Sequence, residues 1–170
     1  VAALVTLSSV LTLWATLAFL HMEASPNVRT LAKSWIESNI PADQCMLMVK
    51  AYEAEEMYNP YFGRDRCNGT IQLDSADNDY KVVFADEQIK YVLLHQHMYA
   101  SMERLGDKHP DPRQGSFYTM MHAAGFGVLH EEKVEPELFG VNFSSWFSAL
   151  DMTYVNPAFR VYRRGAATQQ

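Results

Sequence analysis

The stretch LAKSWIESNIPADQCMLMVKAY, residues 31–52, decides the fold. Extended back to Val28, its first part repeats apolar side chains at helical spacing. Val28, Leu31, Ala32, Trp35 and Ile36 share one face, and Arg29, Lys33 and Glu37 share the other. Ser25 is the expected N-cap with Pro26 in the first turn, and Asn39 and Pro41 supply the stop. The following run, residues 45–52, is apolar at successive positions, as in a strand buried on both faces. An amphipathic helix feeding a buried strand is the opening of an α/β layer, with Trp35 and Ile36 expected to lie buried against the sheet that starts at Cys45.

Toward the N-terminus, residues 1–20 carry no charge. Twenty helical residues span about 30 Å, the thickness of a bilayer core. No positive leader precedes the run, and it is longer than a signal peptide's apolar segment, so it reads as a transmembrane helix. The chain starts at Val rather than Met, so a fragment or processed product is expected. Ala2, Thr6, Ser9, Thr12 and Thr16 fall in one arc, opposite Leu4, Leu7, Leu11, Trp14 and Ala18. Small and hydroxyl side chains allow close helix approach in lipid, which points to packing against upstream spanning helices; toleration in a lone anchor is the other reading. Glu23, Arg29 and Lys33 form no strong positive cluster, which permits an extracytoplasmic domain.

Toward the C-terminus, YKVVF (80–84) reads as a short strand, IKYVLLH (89–95) as a strong one, and SFYTMMHAAG (116–125) as a helix ended by glycine. FGVLHEEKV (126–134) and AFRVYRR (158–164) form a closing antiparallel pair around an insert at 135–157, with a short helix expected near 144–150. The expected fold is α/β. A transmembrane helix at 1–22 leads into a small three-layer domain at 25–165 with a mostly parallel sheet, and 166–170 is a disordered tail.

The 170 residues carry 14 basic and 20 acidic side chains for a net charge of −6. RVYRRG near the end is the nearest thing to a basic run, so the phosphate-neutralising charge of a nucleic-acid binder is missing. No Ser/His/Asp order, Gly-rich phosphate loop or CxxC is present, and no cofactor is implied.

Ligands of open α/β sheets sit beyond the strands' carboxyl ends. After the first strand come Tyr52 and Glu53, then Glu55, Glu56, Tyr58, Tyr61 and Phe62; after the second come His95 and His97. Carboxylates beside aromatic rings suit sugar hydroxyls and sugar faces, and a solvated acidic loop is the competing reading. His95 and His97 would share a face if the strand continued. A metal would need a third ligand from His122, His130 or Asp86, so satisfied polar residues at a strand end fit better. Cys45 and Cys67, the only cysteines, either pair in an oxidising compartment or remain a buried thiol and an unrelated loop thiol. Asn68-Gly-Thr and Asn142-Phe-Ser match a glycosylation triplet that is common by chance.

The helix entry Arg29, Leu31, Ala32, Trp35, Ile36, Asn39, Ile40, Pro41, behind an apolar span and followed by a strand ending in Tyr52-Glu53, IKYVLLHQHMY and FRVYRR, resembles the C-terminal soluble domain of bacterial membrane glycosyltransferases. The group is glycosyltransferase family 39 together with the dolichyl-phosphate-mannose–protein mannosyltransferase-like proteins. Only the helix-to-strand entry is specific; residues 57–79 and 135–157 depart from the pattern. The resemblance implies a parent enzyme that moves a sugar from a polyprenyl-phosphate donor to an acceptor at the outer membrane face. Its catalytic acids belong to an early extracytoplasmic loop outside these residues, so no catalytic residue is carried over. This part would be accessory, with membrane lipid, upstream spanning helices, the lipid-linked donor and an acceptor as partners. The resemblance also places an acid at Glu53. A single-pass anchored binding or sensing module is the alternative, and the sequence ahead of Val1 distinguishes the two.

Overall fold

The structure, a computed structural model, describes residues 2–50, 70–72, 79–143 and 157–165. Helix α1 (Ala2–Ala24) is followed by α2 (Val28–Asn39), strand β1 (Cys45–Lys50) and strand β2 (Thr70–Gln72). Next come α3 (Tyr80–Ala85), β3 (Ile89–His95), α4 (Gln96–Leu105) and a 3₁₀ turn at Gly106–Lys108. The chain continues with α5 (Pro112–Ala123), β4 (Phe126–Glu132), β5 (Glu137–Leu138), β6 (Val141–Asn142) and β7 (Phe159–Arg164).

The five-stranded sheet has the order β2-β1-β3-β7-β4. β1 pairs in parallel with β2 and β3, whereas β7 is antiparallel to both β3 and β4. The α/β class holds, and the sheet is mixed rather than mostly parallel. Four strands share one direction and β7, inserted between β3 and β4, opposes them. The antiparallel β4–β7 pair is present as expected, but β7 also joins the pair to the parallel half.

Two apolar layers flank the sheet, as alternation along each strand requires. On one side α2 contributes Val28, Ala32, Ile36 and Ile40 to a core with Met46, Tyr91, Leu93, Phe159 and Val161. On the other, α3, α4 and α5 bring Tyr80, Phe84, Met98, Met102, Phe117 and Met121 onto Leu47, Val49, Val92, Leu94, Phe126 and Tyr162. β1 is apolar on both faces because it feeds both cores. The result is the expected three-layer unit.

Local chemistry corrects several expectations. Asn27, not Ser25, caps α2 by accepting from the Arg29 N–H at 2.9 Å. Ser25 instead closes α1, its hydroxyl donating to the His21 carbonyl at 2.9 Å. YKVVF is helix α3 rather than a strand: the Asp79 carboxylate caps it, and Tyr80 and Phe84, one turn apart, bury on the same face. β3 ends at His95, so His97 belongs to the first turn of α4, not to a continuing strand. Ile36 is fully buried, while Trp35 is half-buried, its indole stacked on the His130 ring at 4.0 Å.

α1 is long and apolar enough to cross a membrane, and only 11% of its most apolar window is buried, unlike a soluble core helix. Its Ser9, Thr12 and Thr16 hydroxyls donate to carbonyls four residues back, so the polar arc is satisfied within the helix. The domain covers Trp14, Ala15 and Ala18, which pack with Leu138 and Phe143 around the β5–β6 hairpin. The short helix expected near 144–150 and the tail at 166–170 lie outside the described residues.

Candidate functional site

Strand directions define a rim. The carboxyl ends of β1, β3 and β4 lie at one edge of the sheet together with the start of β7, since His95 pairs with Phe159 and Glu132 with Phe159. Gln96, the first residue of α4, ties this edge together. Its N–H donates to the Ala158 carbonyl at 2.7 Å, and its side-chain oxygen accepts from the Ala158 N–H at 3.1 Å. α2 descends from α1 to the amino end of β1, and the β5–β6 hairpin leaves the carboxyl end of β4 to pack on α1. The end of α1 and the strand carboxyl rim therefore lie on the same side of the domain.

The structure brings His95 and His97 together at this rim, their rings 5.5 Å apart and edge-to-face. His95 is fully buried, so its imidazole faces protein; His97 is half-buried, with its Nε2 shielded from solvent. Tyr52 and Glu53, with the acidic and aromatic residues after them, lie outside the described residues. Cys45 is disulfide-bonded, and Cys67, the other cysteine, is also outside them. Among the described residues no three His, Cys, Asp or Glu side chains are grouped to hold a metal ion.

Beneath the rim, on the α4–α5 side, lies a polar network that the sequence reading missed. Arg160 of β7 donates from Nε to Glu131 at 2.8 Å and from Nη1 to Glu103 of α4 at 2.5 Å. Its guanidinium also lies 4.0 Å over the Tyr99 ring. The Tyr99 hydroxyl donates to Glu131 at 2.9 Å, and the Tyr118 hydroxyl of α5 donates to Glu103 at 2.8 Å. Burial, reinforced by Glu131, pushes the Tyr99 phenol well above its ordinary value. Burial, then Tyr162 and Glu103, does the same to Tyr118. Burial opposes the charge on Arg160, but Glu103, Tyr162 and Glu131 outweigh it and hold the guanidinium protonated. Both carboxylates and both phenols are thus engaged by neighbours, and the network acts as a fixed brace joining α4, α5, β4 and β7 rather than as a set of acids and bases poised for transfer.

The signal for this brace was present in FRVYRR. Period-two alternation puts Arg160, Tyr162 and Arg164 on one face, and in an interior strand that face must find partners. A shallow depression of about 300 Å³, lined by Asp43, Gln44, Cys45, Gln88 and Lys90, opens at the amino ends of β1 and β3, opposite the edge where such sheets take ligands.

Comparison with protein-family models, with curated proteins and with solved structures returns no match for this chain.

Proposed function

We propose that this chain is the accessory, membrane-proximal domain of an integral membrane glycosyltransferase that uses a polyprenyl-phosphate-linked sugar. α1 anchors it and its strand carboxyl rim is turned toward the extracytoplasmic bilayer surface. The observation that carries this reading is the shared side of the α1 terminus and the rim: a lipid-linked donor has its sugar at the headgroup level, where that rim would lie. The resemblance of the helix entry from Arg29 to Pro41 supplies the sugar-transfer class. Glu53 and His97 would accept and donate hydrogen bonds to hydroxyl or phosphate-proximal groups, and Tyr52 would stack on a sugar face. Cys45 and Cys67 would form the bridge that holds the loop after β1 to the sheet. The chemistry itself would rest on acids elsewhere in the parent.

The test is kinetic. In the intact transferase, His97→Ala and Glu53→Ala are expected to raise the donor or acceptor concentration needed for half-maximal rate several-fold, with kcat changed less. Unchanged kinetics in both variants would remove the rim from substrate handling. Near-complete loss of turnover in a folded variant would move the chemistry into this domain and overturn the accessory role.

A further inference from the structure

Of the five strands in the main sheet, β2 is the shortest and stands at an edge. It pairs in parallel with β1 through Met48–Thr70, Val49–Ile71 and Lys50–Gln72. A parallel ladder is slightly less stable per residue than an antiparallel one. Residues 51–69 must also be closed into a loop to form it, an entropic cost that three pairs offset poorly.

A covalent bond lies beside this ladder. Cys45 opens β1 and is disulfide-bonded, and Cys67 is the other cysteine of the chain. Register and sequence agree on the pairing: three positions back from the Met48–Thr70 pair are Cys45 on one side and Cys67 on the other. A bridge between them leaves Thr70 three residues from a point fixed on β1. Forming the ladder then takes a short local step instead of closure of a long loop, which raises the effective concentration of β2 at β1.

The bond is also open to solvent on one side. Cys45 is half-buried and lines the shallow depression of about 300 Å³ at the amino ends of β1 and β3. Lys90 and Asp43 both line that depression and offset each other, so access rather than local charge governs the reactivity of the bridge. Exposed bridges are the readily reduced ones, whereas purely structural bridges resist reduction.

We propose that the Cys45–Cys67 bridge is a redox latch for β2. Oxidised, it holds β2 as the fifth strand. Reduced, it lets β2 leave and opens the outer edge of β1, while the two cores built on β1, β3, β4 and β7 stay in place. The reductant is a dithiol. Its thiolate attacks one sulfur of the bridge, the S–S bond breaks, and the other sulfur departs as a thiolate that takes up a proton. The second thiol of the reductant then displaces the first from the mixed disulfide. Two electrons and two protons pass to the chain, and the reductant ends as a disulfide.

Hydrogen-exchange mass spectrometry on the full chain in detergent micelles, with and without dithiothreitol, reads the latch. Reduction should speed exchange at Thr70–Gln72 about tenfold or more while β3 and β7 change by less than about twofold. Cys67→Ser without reductant should reproduce the fast exchange at residues 70–72, and the comparison on the unsubstituted chain decides the matter should that variant misfold. Iodoacetamide should alkylate both cysteines after dithiothreitol treatment without denaturant. Unchanged exchange at residues 70–72 on reduction would overturn the latch. A parallel rise across β3 and β7 would also overturn it, since the bridge would then support the whole fold. A need for denaturant before reduction would show that the bond is enclosed and no switch. A bridged dimer on a non-reducing gel would show that the bond joins two copies, against the pairing within one chain.

Discussion

Replacing Arg160 with Met removes the cation shared by Glu103 and Glu131 and leaves an apolar stem of similar length. The side chains of Arg160, Glu131 and Glu103 are 20%, 31% and 40% exposed, so their interactions are graded rather than uniform. The bond to Glu131 is the most sheltered and is worth about 2 kcal/mol as a charge-assisted hydrogen bond. The bond to Glu103 is screened by solvent and contributes about 0.5 kcal/mol. The guanidinium over the Tyr99 ring adds roughly 0.5–1 kcal/mol. Arg160→Met should therefore destabilise the domain by about 3 kcal/mol, a fall in Tm of about 10 °C for a chain of this size. Thermal melts followed by circular dichroism, on the full chain in detergent micelles, would measure it. A double-mutant cycle with Glu131→Gln should return a coupling of about 1–2 kcal/mol. Arg160→Lys, which cannot hold two carboxylates in one planar fork, should lose about half as much as Met. A loss under about 1 kcal/mol for Met, with no coupling to Glu131, would show that the network is solvated and braces nothing.

The same network makes a pH prediction. Tyr99, Tyr118 and Tyr162 are held protonated above the ordinary value of 10.0 by burial. The unfolded chain loses these protons first, so their stabilisation is complete below pH 10 and declines above it. Tyr118, the most exposed of the three, should contribute least, and about 2–3 kcal/mol should vanish between pH 10 and 11. Tyrosinate absorbance at 295 nm should rise for these three only together with loss of ellipticity; independent titration near 10 would count against the burial. Gly115→Ala should destabilise by about 1–2 kcal/mol in denaturant melts although Ala is the better helix former, because the new Cβ would meet the Gly106 carbonyl oxygen at 2.9 Å. Stabilisation would show that α5 and the 3₁₀ turn can separate freely. Trp35→Ala should cost about 2 kcal/mol, less than a fully buried indole, since the side chain is only half-buried where it packs on the α2-side core and stacks on the His130 ring. No change in Tm would mean that the stack is incidental.

Apolar pattern made α1, α2, β1 and β3 readable, because each is long enough for its pattern to show; β1, β3 and most of the apolar face of α2 are buried in the domain, whereas most of α1 is not. α3 was misread because Val82 and Val83 raise strand propensity in a six-residue segment, while the helix signal lay in the Asp79 cap and the Tyr80/Phe84 spacing. α4 was hidden for a related reason: nothing in QHMYASMERL marks where β3 stops, since His95 occupies the cap position without a capping side-chain bond. The rim was found by strand order alone, but which of its histidines is the less buried depends on that missed boundary. The Arg160 network joins residues 99, 103, 118, 131 and 160, and such pairings follow only from β7 lying between β3 and β4.

That placement of β7 has a consequence for how the molecule is made. β3 and β4 do not touch as a ladder; β7, which follows both in the chain, is the piece that unites them. Until residues 159–164 emerge from the ribosome, the growing chain holds a parallel half-sheet with an open apolar edge at β3 and an unmated β4. Both are sites where strands of other molecules can add. Closure also spans more than sixty residues from His95 to Phe159, so the loop-entropy cost falls late and in one step. A nascent chain paused before residue 159, or a message truncated there, would leave a sticky, half-closed intermediate, a natural client for a holding chaperone.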